Sequence, residues 1–160
     1  MHESIEQTPP GREILKNLET ENEYVFHGSE NPHLEFLEPR QAFTIIDGKK
    51  VEGDKPAVHG SQFCDIAIFM GLINEKNCPE GFSNTFSYEG GKELTFSASQ
   101  QALDQLGESA RGYVYVFAKE DFIPRGGAQL ISYNEVKPLR IVEVGKADLP
   151  ENIEIKGENK

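Results

Sequence analysis

The sequence predicts an α+β fold in which many short strands accompany two or three helices. Segments rich in β-branched and aromatic residues recur along the chain without regular alternation with helical segments. The strongest of them, RGYVYVFA at 111–118, is apolar on both faces, which is typical of a central strand covered on both sides. This order argues against a doubly wound parallel sheet.

The first third of the chain predicts a helix and two strands. After a loose tail, TPPGREILKNL offers Thr8 as a cap and an apolar stripe that includes Leu15, which predicts a short helix. EYVFHG predicts a strand that ends at Gly28. AFTIIDGKKV predicts a strand followed by a turn at 47–48.

The middle and the end of the chain predict two more helices and several strands. PAVHG is extended, and Ser61 suits the N-cap of a helix whose core-facing residues are spaced at Phe63, Ile66, Ala67, Met70 and Ile73. FSYEGGKELTF predicts a hairpin, and SQQALDQLG predicts a helix that ends at Gly107. AQLISY and PLRIVEV predict further strands, and NIEIK predicts an edge strand.

The length of the chain indicates its number of domains, and its net charge indicates which classes of partner are disfavoured. A chain of 160 residues suits one domain, which we expect over 21–156, with a tail and short helix at 1–20 and a tail at 157–160. The formal net charge of −11 disfavours nucleic acid and anionic membrane as partners, because binding to phosphate needs clustered Lys and Arg. MHESIEQTPPG lacks the apolar segment of a signal peptide, and no apolar run reaches membrane-spanning length. We therefore expect a soluble, cytoplasmic protein with no membrane partner.

The sequence contains none of the common catalytic or cofactor-binding motifs sought in it. The sequence has no dinucleotide fingerprint, Walker loop or nucleophile elbow, and Cys64 and Cys78 lack the spacing of a zinc site, so no metal is predicted. What remains is His27-Gly28-Ser29 at a strand end, which recurs as His-Gly-Ser at 59–61. A lone His beside a strand is more often structural than a ligand, but glycine lets a ligand approach the backbone closely.

Three separated motifs resemble the ADP-ribosyltransferase superfamily, in its diphtheria-toxin-like and poly(ADP-ribose) polymerase-like branch. FHGS matches the first motif, a strand that runs into His-Gly-Ser. AVHGSQFCDIAIF matches the second, with Val58 at the tyrosine position and Phe69 at a later aromatic position. AQLISYNEV matches the third, with Gln129 at the glutamate position. The match spans about 23–144 and retains the order of a His-Tyr-Glu signature in degenerate form.

This resemblance implies split mixed or antiparallel sheets that hold NAD+ in a cleft between them. His27 would bond the adenosine ribose, the Gly28 backbone would hold the nicotinamide amide, and Ser29 would meet the nicotinamide ribose. The residues at 58 and 69 complete the implied NAD-binding set. The third-motif position, Gln129, would act on the nicotinamide ribose during transfer of ADP-ribose to a macromolecular acceptor, most simply a protein.

Two departures from the family leave the activity open. Val58 cannot stack on nicotinamide as a tyrosine does, and Gln129 lacks the charge that stabilises a developing cation. Glu135 is a candidate replacement acid and Glu143 is another, although glutamates are more often solvated surface residues. Three alternative hypotheses therefore stay open. The protein is a mono-ADP-ribosyltransferase, an inactive module that binds NAD+ or ADP-ribose, or a fold that acts through protein contacts alone. We interpret His59 as a structural or surface residue and the repeat of His-Gly-Ser as chance.

Overall fold

A computed structural model describes residues 11–39, 43–46, 49–52, 56–89, 93–126, 128–150 and 153–156. Its helices are α1 (Gly11–Glu19), α2 (Cys64–Leu72) and α3 (Gln100–Gln105). The strands in chain order are β1 (Tyr24–Ser29), β2 (Phe43–Ile46), β3 (Lys49–Glu52), β4 (Val58–Ser61), β5 (Asn84–Glu89), β6 (Glu93–Ser99), β7 (Arg111–Ala118), β8 (Ile123–Gly126), β9 (Gln129–Ser132), β10 (Arg140–Gly145) and β11 (Ile153–Lys156).

Two main sheets confirm the predicted α+β class with split sheets. The larger is antiparallel in the order β10-β7-β1-β4-β9-β8. The smaller has the order β11-β6-β5, in which β11 runs parallel to β6 and lies at the edge, as predicted for NIEIK. Among the described strands, β2 pairs only with β3, and β7 is paired on both sides, as its two apolar faces predicted.

Helix α2 lies between the two main sheets. On one side Ala67 and Ile68 pack with Phe26 of the larger sheet. On the other side Phe69 packs against Phe96 of the smaller sheet, with ring centroids 4.8 Å apart. The prediction of a single core-facing stripe is therefore wrong, because almost the whole helix is buried, and Met70, predicted to lie in the core, is 40% exposed.

Close contact between α2 and the larger sheet depends on glycine. A Cβ on Gly28 would lie 2.0 Å from the carbonyl oxygen of Ala67 and 2.7 Å from the backbone nitrogen of Gly71. A Cβ on Gly112 of β7 would lie 2.3 Å from the carbonyl oxygen of Gly71. The absence of a side chain at Gly28 thus seats α2 against the sheet, whereas the sequence suggested that it serves a ligand.

The N-terminus of α2 is held by α1 and not by its own preceding residues. Ser61 lies in β4, where its hydroxyl accepts a hydrogen bond from the Phe63 N–H (3.0 Å), and the helix begins at Cys64. The Cys64 N–H donates instead to the Glu19 carboxylate (2.9 Å). Ser61 as the helix cap is therefore a wrong prediction, because a carboxylate from a distant helix satisfies the donor that a local side chain would take.

Helix α1 packs into the same core. Leu15 is fully buried with Phe26 and Val144, and Asp148 accepts a hydrogen bond from the Arg12 N–H (2.9 Å). The expected boundary at residue 21 falls between α1 and β1, so the helix belongs to the packed body described here. The predicted cap Thr8 and the predicted turns at 47–48 and 90–91 lie outside the described residues.

The remaining predicted elements agree with the structure. Ser99 caps α3 by accepting a hydrogen bond from the Ala102 N–H (3.2 Å). The predicted hairpin is β5 and β6, in which Phe86 pairs with Phe96. None of the described helices is long and apolar enough to cross a membrane.

Candidate functional site

The strands that carry the three motifs are neighbours in the larger sheet. β1, β4 and β9 lie side by side, with Phe26 opposite Ser61 and Ser61 opposite Gln129. Segments far apart in the chain therefore meet at one place. The two His-Gly-Ser sequences, at 27–29 and 59–61, lie on adjacent antiparallel strands, which the sequence alone did not suggest.

Strands β1 and β4 separate beyond their single pair. Whereas β1 pairs with β7 at six successive residues, its register with β4 consists of Phe26 and Ser61 alone. His27 bridges the gap that follows, because its Nδ1 lies 2.7 Å from the carbonyl oxygen of His59. A carbonyl can only accept, so Nδ1 carries the proton and Nε2 is the acceptor of the neutral ring.

Alternation along β1 assigns its residues to two faces. Phe26 and Gly28 face α2, a side we call the helix face; Val25, His27 and Ser29 belong to the opposite, open face. Direct partners across a sheet share a face, so Ser61 and Gln129 join Phe26 on the helix face. The signature positions are thus divided, with His27 on the open face and Gln129 on the helix face.

A cavity of about 230 Å³ lies on the helix face, between the two main sheets. We call it the inner cavity. Its walls come from β1, β4 and β9, from α2 and from the β5 strand of the smaller sheet; they include His27, Gly28, Gln129, Met70 and Phe86. Ligand pockets usually measure about 300–1,000 Å³, so this cavity suits one end of a nucleotide and not the whole.

A second cavity of about 580 Å³ lies on the open face, and we call it the outer cavity. It is lined by Ser29 and Val58 from the strands and by the segment 33–38, which includes the carboxylates Glu35 and Glu38. His27 and His59 line both cavities, where β1 and β4 separate. These two histidines are therefore common to the linings of both cavities.

Tyr115 anchors the segment that forms the far wall of the outer cavity. Its hydroxyl donates to the carbonyl oxygen of Asn31 (2.5 Å) and accepts from the Leu34 N–H (3.0 Å). Ser29 accepts a hydrogen bond from the Asn31 N–H (3.0 Å), so its hydroxyl oxygen already closes the turn after β1. The implied contact of Ser29 with a ribose could use its hydroxyl proton or the second lone pair of its oxygen.

The other predicted site residues lie in different surroundings. Val58 is 4% exposed and packs among the apolar residues of the open face. Phe69 is fully buried against Phe96 and does not line either cavity. Glu135 is exposed in the loop after β9 and is also absent from both linings. The structure therefore brings together His27, Gly28 and Gln129, and leaves Phe69 and Glu135 apart from them.

The inner cavity carries little charge. Among its described lining residues the titratable side chains are His27 and His59, and none is a carboxylate. No group of three His, Cys, Asp or Glu within the described ranges could hold a metal ion. Such a lining can donate and accept hydrogen bonds, but it offers no negative charge to a cation.

The residues of this lining that sequence reasoning missed include His59, Met70 and Phe86. His59 was interpreted as structural or surface, Met70 as core and Phe86 as a hairpin residue, yet all three line the inner cavity. The repeated His-Gly-Ser was the only available signal for His59. Phe86 had none, because its place depends on how the smaller sheet packs against α2.

Comparisons with known proteins leave the family open. No protein-family model matches this chain, and no curated protein or solved structure matches it either.

Proposed function

We propose that this protein binds NAD+ or ADP-ribose in the cleft formed by the inner and outer cavities. One observation carries the proposal: the three strands that bear the resemblance lie side by side, and His27, Gly28 and Gln129 line one cavity between two sheets. A cleft between sheets is what the resemblance to ADP-ribosyltransferases implies. The outer cavity, which shares His27 and His59 with the inner one, would receive the adenosine end.

Binding without turnover is the function that this geometry supports best. Stabilising an oxocarbenium-like transition state depends on preorganised charge, and the inner cavity has no carboxylate among its described lining residues. Gln129 can bond a ribose hydroxyl without supplying that charge. The replacement acid Glu135 lies outside the lining. Transfer of ADP-ribose to a protein acceptor is therefore the second candidate.

Proton NMR of NAD+ and of ADP-ribose mixed with the protein tests both candidates. We expect broadened ligand signals and no free nicotinamide over several hours. Free nicotinamide released by the wild type but not by His27→Ala would establish the transferase or hydrolase candidate. Sharp, unchanged signals for both ligands would refute the proposed function.

Gln129→Ala, with Gln100→Ala as its control, tests the location of the site. Loss of one hydrogen bond to the ligand corresponds to about tenfold weaker binding for Gln129→Ala. Gln100 is exposed at the start of α3 and lines neither cavity, so its variant should bind like the wild type. Equal affinities for the two variants would place the ligand elsewhere on the protein.

A further inference from the structure

We infer that the inner cavity selects an ADP-ribosyl ligand whose distal end carries no positive charge, so that ADP-ribose binds more tightly than NAD+. This inference rests on the proposed function, because it concerns which nucleotide occupies the same cleft. The two ligands share the adenosine diphosphate portion. They differ at the distal ribose, which in NAD+ carries a cationic nicotinamide ring.

The lining of the inner cavity opposes that cation. Its described residues include no carboxylate, and the imidazoles of His27 and His59 supply no negative charge. Gln129 lies on the helix face, at the position where the family that the three motifs resemble carries a glutamate. A cation moved from water into such a partly enclosed space loses hydration without gaining a counter-charge.

The carboxylates described near the site lie on the other side of the sheet from the inner cavity. Glu35 and Glu38 line the outer cavity, on the opposite face of the sheet, which the proposed orientation assigns to adenosine. Exposed charges elsewhere in the described part of the chain are screened beyond about 8 Å at physiological ionic strength. The local lining therefore decides which distal group is preferred.

An uncharged sugar would meet suitable partners in the same space. The Gln129 amide offers both a donor and an acceptor, and ribose hydroxyls can serve in either role. Gln129 is exposed into the cleft and not buried against protein, so its amide can be reached from that side. The volume of about 230 Å³ leaves room for one sugar.

Calorimetric titration with ADP-ribose, NADH and NAD+ at pH 7.5 tests the inference. NADH is nearly the same size as NAD+ but has a neutral ring, so this pair isolates the charge. We expect ADP-ribose and NADH each to bind at least about tenfold more tightly than NAD+. NAD+ binding as tightly as NADH would overturn the inference and leave the proposed function standing. No binding of any of the three would instead refute the proposed function.

Gln129→Glu tests the same inference by adding a carboxylate to the inner cavity, and Gln100→Glu is the control that adds the same charge elsewhere. A carboxylate at 129 should reduce the preference for NADH over NAD+ by about tenfold. Gln100→Glu adds the same charge at the exposed start of α3 and should leave the preference unchanged. Thermal melts of both variants serve to check that each is folded. An unchanged preference in folded Gln129→Glu would show that the charge of the lining does not set selectivity.

Discussion

Gly28→Ala should destabilise the protein strongly, because α2 occupies the space that the new methyl group needs. The added Cβ would lie 2.0 Å from the carbonyl oxygen of Ala67 and 2.7 Å from the nitrogen of Gly71. Both are backbone atoms, so no side chain can rotate away, and helix and strand must separate by about 1.5 Å to restore normal contact. Overpacking costs about 1–3 kcal/mol, and we expect a value of about 3.

Thermal unfolding measures this cost directly. For a chain of this length about 3 kcal/mol corresponds to a decrease in Tm of about 6–12 °C. Two glycine variants serve as controls. A Cβ on Gly107 has nothing within 4 Å, and a Cβ on Gly71 meets its nearest atoms at 3.4 Å, an ordinary contact. Alanine at either position should change stability by about 1 kcal/mol or less, and at Gly71 helix propensity favours it.

The comparison separates packing from ligand binding as the reason for glycine at 28. A Tm for Gly28→Ala within about 2 °C of the wild-type Tm would refute the close approach of α2 to β1. Reduced nucleotide binding in a variant of unchanged Tm would then assign the glycine to the ligand alone. A large decrease in Tm without ligand supports the packing role.

Two further predictions concern buried ionisable groups. Burial alone would raise the pKa of Asp65, but hydrogen bonds from Arg12 (2.8 and 2.9 Å) and the charge of Lys16 hold it below the usual 3.8. This stabilisation is present above about pH 4, where the carboxylate of the unfolded chain is ionised, and is lost as the pH falls through the lower folded-state pKa. Urea titrations should show Asp65→Asn less stable than the wild type by about 1–3 kcal/mol at pH 7, with the difference shrinking in acid; a constant difference would contradict the ion pair. Burial also raises the pKa of both thiols, Cys64 and Cys78. Iodoacetamide at pH 8 should therefore label neither in the native protein and both in denaturant, and rapid native labelling followed by mass spectrometry would contradict their burial.

Local patterns predicted the elements well because they depend on neighbouring residues. Strand β7 was recognisable from alternating aromatic and β-branched residues, and Ser99 was recognisable as the start of α3. The cap of α2 was not predictable, since its partner Glu19 is 45 positions away. The burial of α2 on all sides likewise depends on a second sheet whose position no local pattern records.

The sequence by itself determined the α+β class and the strands that carry the three motifs, and its resemblance to a known family made His27 and Gln129 candidate site residues. Tertiary structure alone decided that β1, β4 and β9 are neighbours, that β1 and β4 separate beyond Phe26, and that His59 lines both cavities. The physical reason is the range of the interactions involved. Strand and turn preferences act over a few residues, whereas the lining of a cavity depends on long-range pairing and on how closely α2 approaches the sheet at Gly28.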